Sequence, residues 1–408
     1  MVRWPFQRLR QPLALARGCL LIGLAWSLVP PLQAQPVLPP PPPAPSTAPA
    51  PASPATPIRG VWMTLNDMVI LRDRSRMQDA VRRLADLGFN TIYAVAWNGA
   101  TAYYPSTVTR ERGIQSFEFR GLQGQEVLAE LIATGQQLGL RVIPWFEFGF
   151  MAPPSSDLAT RYPQWLTRQR DGGTTSLSAA GEVAWLNPFH PEVQRLITEL
   201  VLELVRLPGA DGVQFDDHMS LPSSFGYDPY TVALYRKDTG RQPPADPQDP
   251  AWVKWRADRL SGFMLRLRQA VRDANPRAVV SLSPNYYDFA YKLQLQDWRT
   301  WVTRKAVDEV IVQIYRPDLE SFVPQINRPE LLLTSRQVPT AIGIMSGQRN
   351  RPIPLDLIEA QVRATRQQGL GVAFFYFESL WQQAPEPPAE RQDALRRMLT
   401  APITPNGS

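Results

Sequence analysis

Cysteine and histidine are nearly absent from this sequence: 408 residues contain one cysteine, Cys19, and two histidines, His190 and His218. Cys19 lies in an arginine-rich leader, so the folded part carries no thiol. That excludes a cysteine nucleophile, thiolate zinc sites and disulfides. A Ser-His-Asp triad would have to use one of the two histidines, and no Gly-x-Ser-x-Gly elbow accompanies them. No Gly-rich turn follows the first strand, so a dinucleotide would find no phosphate cradle. Acidic residues are missing from positions 1–34, which hold Arg3, Arg8, Arg10 and Arg17. Without that leader the net charge of +6 falls to +2, with 39 basic residues against 37 acidic ones. Nucleic-acid binding thereby loses its electrostatic support.

What is present divides the chain into four parts. Residues 1–34 read as a secretory signal: arginines over 3–17, an apolar run from Cys19 to Val29, and Leu32-Gln33-Ala34 before the cut. The run is too short to span a bilayer comfortably, so the mature domain has no membrane partner unless the leader is retained as an anchor. The expected location is secreted or periplasmic. Residues 35–57 are mostly Pro, Ala, Ser and Thr, a composition that buries no core and forms an extended spacer. Residues 58–383 carry the folded domain, and 384–408 a short helix, 389–399, and a tail. Nothing in the sequence sets an oligomeric state.

Within 58–383 apolar runs alternate with amphipathic stretches. Strands are predicted at 58–64, 91–97, 141–146, 210–217, 278–283, 308–315, 340–344 and 371–377, rich in β-branched and aromatic residues. Helical periodicity occupies most of the gaps. Ser75-Arg76-Met77-Gln78 has the form of a capping box, and Val193, Leu196, Ile197, Leu200, Val201 and Leu204 share one face of a helix that starts at Pro191. Gly88, Gly139 and Gly369 stand where helices should close. Eight strands separated by helices predict an α/β fold, a (β/α)8 TIM barrel with long βα loops. The segment from Gly149 to Pro188 has no clean period and exceeds an ordinary βα connection, which marks it as a functional loop.

In such a barrel the chemistry sits at the C-terminal ends of the strands. Acids found there are Asp67, Glu147, Asp216, Asp217 and Glu378. The strand leading to Asp216-Asp217-His218 stops its apolar run abruptly and presents charge. By alternation, Gln214 and Asp216 share one face and Phe215 and Asp217 the other, so one acid of the pair points into the mouth and Asp217 takes a supporting or loop-capping place. Asp216 is the expected nucleophile or base. Glu147 and Glu378 compete as its acid partner, each following an aromatic strand that would desolvate a carboxyl. Strands five and seven end in Ser283-Pro284-Asn285 and Met345-Ser346-Gly347, with no acid. Trp97, Tyr103, Tyr104, Trp145, Trp185, Tyr286, Tyr315, Tyr376 and Trp381 offer rings for stacking on sugars, about half of them expected to be core. Asn98, Asn285 and Gln313 are the expected hydroxyl-binding groups, with Asp217 and His218 beside them. No cofactor is expected. His218 with the two aspartates would suit a metal only if a second histidine joined them, and Pro191-Glu192-Val193 after His190 supplies none.

Several stretches resemble the glycosyl-hydrolase-like family 10 proteins, a group of secreted or envelope-anchored TIM barrels. They are Arg59-Gly60-Val61-Trp62, Ala102-Tyr103-Tyr104-Pro105-Ser106, Tyr162-Pro163-Gln164-Trp165-Leu166, Trp185-Leu186-Asn187-Pro188 with Pro191-Glu192-Val193, and Asp211-Gly212-Val213-Gln214-Phe215-Asp216-Asp217. The resemblance implies hydrolysis of a β-linked polysaccharide, with bacterial cell-wall glycan the favoured class. Two alternatives stay open: a non-catalytic glycan-binding barrel and a metal-dependent polysaccharide deacetylase.

Overall fold

Eight parallel strands close on themselves in a computed structural model that describes residues 56–114, 126–178, 181–348, 351–382 and 384–401. The expected leader and nearly all of the expected linker lie outside the described residues. The strands are β1 (Arg59–Met63), β2 (Thr91–Asn98), β3 (Arg141–Phe146), β4 (Gly212–Asp216), β5 (Val279–Ser283), β6 (Glu309–Gln313), β7 (Thr340–Met345) and β8 (Gly371–Phe375). Each pairs with its neighbours in sequence, and β1 pairs with both β2 and β8, which completes the ring. The strands are buried almost throughout because the ring's inside and the helices outside both cover them. This is the predicted TIM barrel.

After the eight strands come α1 (Arg74–Asp86), α2 (Val127–Gln137), α3 (Pro191–Val205), α4 (Pro250–Ala274), α5 (Trp298–Thr303), α6 (Leu319–Ile326), α7 (Leu355–Gln367) and α8 (Pro388–Thr400). The six apolar residues expected on one face of α3 are all buried. Two local expectations change. The first helix is capped by Asp73, whose side chain accepts from the Arg76 amide, so the cap lies two residues before Ser75. The unperiodic loop after β3 holds a helix at Asp157–Arg161 and a three-stranded antiparallel sheet of Met151–Ala152, Thr175–Ser178 and Gly181–Trp185. Strands of two to five residues are too short for their alternation to register.

The barrel's interior is polar in layers. Near the N-terminal ends of the strands, Glu309 accepts from Tyr93 (2.9 Å) and from Arg141 (3.0 Å). A layer higher, the Trp62 indole donates to the Gln214 amide oxygen at 2.6 Å, and Gln214 donates to Ser281 at 2.9 Å. These buried polar groups find partners across the ring, as a low-dielectric interior demands. This layer is the floor on which the mouth is built.

The C-terminal helix α8 braces that mouth. Arg391, buried to 1% exposure, donates to the carbonyls of Ser346 (3.3 Å) and Ile353 (3.0 Å) and pairs with Glu386 at 3.3 Å. It thereby ties the segment after β7 to the barrel. Replacing Arg391 with Ala leaves buried carbonyls without a donor and should lower stability by ~2–4 kcal/mol in urea denaturation. A loss below ~0.5 kcal/mol would show that the brace carries no weight.

Candidate active site

The pleat of β4 turns Gln214 and Asp216 inward together, which sets Asp216 one layer above the Gln214 floor. Its carboxylate accepts from the His218 amide (2.9 Å) and the Phe148 amide (3.3 Å), and lies 2.9 Å from His218 Nδ1. Strand β4 ends at Asp216, so alternation ends there as well. Asp217 therefore does not turn to the opposite face as expected. It accepts from Asn285 Nδ2 at 2.8 Å and Gln313 Nε2 at 3.1 Å, groups from just after β5 and from the end of β6. Its side chain keeps 15% exposure against 4% for Asp216.

Glu147 follows β3 directly and reaches the same mouth because the chain beyond it folds onto the turn after β4. Phe148 adopts φ +59°, a conformation rare outside glycine, and this aims its amide at Asp216. Gly149 then passes so close to the His218 carbonyl that a Cβ would sit 2.6 Å from that oxygen. Only glycine permits this approach. The Phe150 amide completes it by donating to the same carbonyl at 3.2 Å.

Burial first, and the Asp216 charge second, push the Glu147 carboxyl up to about 8, against the opposing hydrogen bond from Asn98 (2.6 Å). Burial alone would lower the His218 value, but the Asp216 and Asp217 carboxylates outweigh it and raise it to about 10. Burial also raises Asp217, opposed by the His218 charge. The Tyr315 hydroxyl is pushed up by burial and then by the charges of Asp217, Asp216 and Glu147. At neutral pH the mouth thus holds a protonated glutamic acid and an imidazolium among aspartates. Carboxyls whose environments separate their proton affinities are what acid–base chemistry on a sugar bond requires.

The other acids lie elsewhere. The Glu378 amide donates to Asp67 at 3.0 Å and its carboxylate accepts from the Tyr376 hydroxyl at 3.2 Å. Asp67, pushed up to about 7 by burial, closes a capping box with Thr64. Glu378 thus joins Asp67 at the β1 and β8 corner, while the charges that act on Glu147 are Asp216, His218 and Asp217. Asn98, Asn285 and Gln313 are in the mouth as expected, although they bind carboxylates of the protein.

Among the rings, Tyr103 lies near enough to Glu147 for its hydroxyl to be raised by that charge after burial. Trp185 stands 6.4 Å from the His218 ring, and Trp145 packs on Trp62 and Phe375. Trp97 is fully buried in a stack on Phe146, and Trp381 packs on Phe377 beneath Arg83, so neither has a face for sugar. Tyr104 is spent on Leu200 and Glu203. His190 caps α3 through the Glu192 amide and contacts Tyr230. Among the described residues one group could hold a metal, Asp216, Asp217 and His218, with ligand atoms within 4.8 Å of one another. His218 Nδ1 is already engaged by Asp216, and the second histidine is not part of the group.

Sequence reading missed Gln296, which donates to the carbonyls of Asp216 (3.0 Å) and Met219 (3.3 Å) and holds the turn in place. It sits in a loop with no local pattern to single it out. It also missed Phe148 and Gly149, whose contribution is made by backbone.

Proton linkage gives the sign of a stability test. Glu147 and His218 have folded values above their ordinary 4.5 and 6.5, so each stabilises fully below the ordinary value and loses that contribution as pH rises toward about 8 and about 10. The melting temperature should fall between about pH 5 and about pH 9, and Glu147→Gln should flatten the lower part of that slope. A melting temperature that climbs over this interval would contradict the assignment.

Comparison with known proteins agrees with this arrangement. Residues 57–363 match the model of the family described as glycosyl hydrolase-like 10. The chain is 26% identical over 352 residues to the glycosyl hydrolase DigH of Escherichia coli O6:H1 (strain CFT073), covering 75% of this chain and 76% of the relative. Against the protein of the same name from strain K12 it is 26% identical over 303 residues, covering 64% of this chain and 66% of the relative. In fold it is similar to the PgaB (BpsB) glycoside hydrolase domain from Bordetella bronchiseptica, with a TM-score of 0.62 and 18% identity, covering 85% of this chain and 100% of that one. It is also similar to the β-amylase catalytic domain from Paenibacillus polymyxa, with a TM-score of 0.58 and 9% identity, covering 85% and 98%. With a barrel of this topology and a family match across three quarters of its length, the chain belongs to the glycosyl hydrolase-like 10 family.

Proposed function

We propose that this protein is an O-glycoside hydrolase that cleaves a polysaccharide by a two-carboxyl mechanism at the barrel mouth. The observation that carries the reading is the placement of Glu147: a buried carboxyl held by Asn98 at 2.6 Å, pushed up to about 8 by burial and then by the Asp216 charge, with Asp217 following at the end of the adjacent strand. Glu147 is the general acid that protonates the leaving oxygen. Asp217, the more exposed of the pair, each of whose oxygens accepts from one amide, meets the sugar as the nucleophile or base. Asp216 supplies the charge that acts most strongly on Glu147 and locks His218. This shifts the reacting role from Asp216 to its neighbour, because the Asp217 side chain keeps 15% exposure against 4% for Asp216.

The substrate class follows the family resemblance: a bacterial cell-wall glycan with β-linked sugars. The reading of residues 1–34 as an export signal supports a place in the periplasm or outside the cell, where that polymer lies. Tyr103 and Tyr315, both partly exposed, are the rings placed to meet sugar faces, with Phe375 packed against Tyr315.

Release of reducing ends from peptide-free wall glycan is the direct assay. Glu147→Gln and Asp217→Asn should each lower kcat by roughly 10²- to 10⁴-fold while the circular dichroism stays unchanged, and Glu378→Gln should cost far less. Undiminished activity in Glu147→Gln would remove the reading. A wild-type protein that binds glycan without releasing product would instead be a binding barrel.

The pH profile separates the two aspartates. A general acid works while protonated, so kcat/KM should fall as pH rises through about 8. Asp216→Asn removes a negative charge that raises Glu147, so the alkaline limb should move to lower pH. Activity should also survive a chelator; loss with chelator and release of acetate would assign the Asp216, Asp217 and His218 group to a deacetylase.

A further inference from the structure

Next to the catalytic cluster, on the far side of Tyr315, lies a hollow of about 70 Å³ lined by Tyr315, Arg316, Met345, Gln348, Arg351 and Ile353. It belongs to the same face of the barrel, since Arg316 follows β6 and Met345 ends β7. Two guanidinium groups line this small space. Arg316 donates to the Tyr315 carbonyl at 3.1 Å and lies 5.8 Å from the centre of the Tyr286 ring, and Arg351 is exposed. Among the described residues neither arginine has an acidic partner. Other arginines among the described residues, such as Arg74, Arg112, Arg141, Arg259, Arg268 and Arg328, are each paired with a carboxylate.

Two arginines that line one hollow, with no carboxylate partner among the described residues, offer positive charge to an anion. The planar fork of a guanidinium matches a carboxylate best, through paired hydrogen bonds. At about 70 Å³ the hollow has room for a small polar group such as a carboxylate projecting from a ring held over Tyr315. Its rim is held firmly, because Arg391 anchors the carbonyls of Ser346 and Ile353 and Gln361 donates to the Arg316 carbonyl at 3.0 Å.

We propose that Arg316 and Arg351 form a subsite for a carboxylate-bearing sugar of the polysaccharide, one side chain away from the bond that is cut. The proposal rests on the glycosidase reading for its orientation and adds the chemical class of the sugar. Either a lactyl ether or a uronic acid presents that group. The arginines are specificity residues, and they touch no reacting atom.

Binding by titration calorimetry tests this independently of catalysis. The probes are soluble wall glycan stripped of peptide, the same glycan with its carboxyls reduced to alcohols, and a polyuronate oligomer with its reduced counterpart. Wild-type protein should bind the native form of at least one pair roughly 10- to 100-fold more tightly than its reduced form, the range expected for charge-assisted hydrogen bonds. Arg316→Gln/Arg351→Gln should lose that preference, and added salt should weaken it. A preference confined to wall glycan assigns the lactyl ether, and one confined to polyuronate assigns the uronic acid. Equal or undetectable binding of native and reduced forms, or a preference that survives in the double variant, would overturn the proposal. Reducing-end release from the native glycan reads the hydrolase separately: preference without product keeps the subsite and rejects the catalytic reading.

Discussion

Burying a carboxyl group beside other carboxyls is costly in an interior of low dielectric, and the cost is relieved when one of them keeps its proton. Glu147, Asp216 and Asp217 are in that position, and the His218 imidazolium acts against the rise of Glu147 and Asp217. Much of the upper barrel exists to hold the four groups together. Asn98, Asn285 and Gln313 each donate to a carboxylate, and Gln296 fixes the turn from which two of the acids rise. Proton affinities are set here by confinement, so the chemistry depends on the walls as much as on the acids.

Those walls come from ring closure. The Trp62–Gln214–Ser281 chain spans β1, β4 and β5 and keeps the floor flat beneath Asp216. Two backbone features then bring strands three and four into register at the top: the positive φ of Phe148 and the bare Cα of Gly149 against His218. On the opposite rim, α8 reaches up through Arg391 to the segment after β7. The mouth is therefore held at both edges, rigid where acids meet and charged where Arg316 and Arg351 line the adjoining hollow.

Much of this was legible in the chain. Continuous apolar runs located all eight strands and a period of 3.6 the principal helices, because a strand buried on both faces and a helix buried on one leave different apolar spacings. Short elements were missed, among them the antiparallel sheet after β3 and the helix at Pro229–Thr239, since two to eleven residues with mixed polarity carry little period. Of the candidate residues, Glu147, Asp216, Asp217 and His218 do assemble, while Glu378 goes to Asp67 and the Trp97 ring goes to the core. The choice between two glutamates was beyond one-dimensional reading, because both follow aromatic strands and only position around the ring separates them.

The amino-acid sequence by itself determined the alternation of strand and helix, the acidic strand ends and the near absence of thiol and imidazole, since these depend on residue type and local spacing. Tertiary structure alone decided which acids meet, that Asp217 turns toward Asn285 and Gln313, and that two arginines share a hollow beside Tyr315. Those outcomes depend on contacts between residues tens to hundreds of positions apart. Closing the ring sets such distances, and no local pattern encodes them.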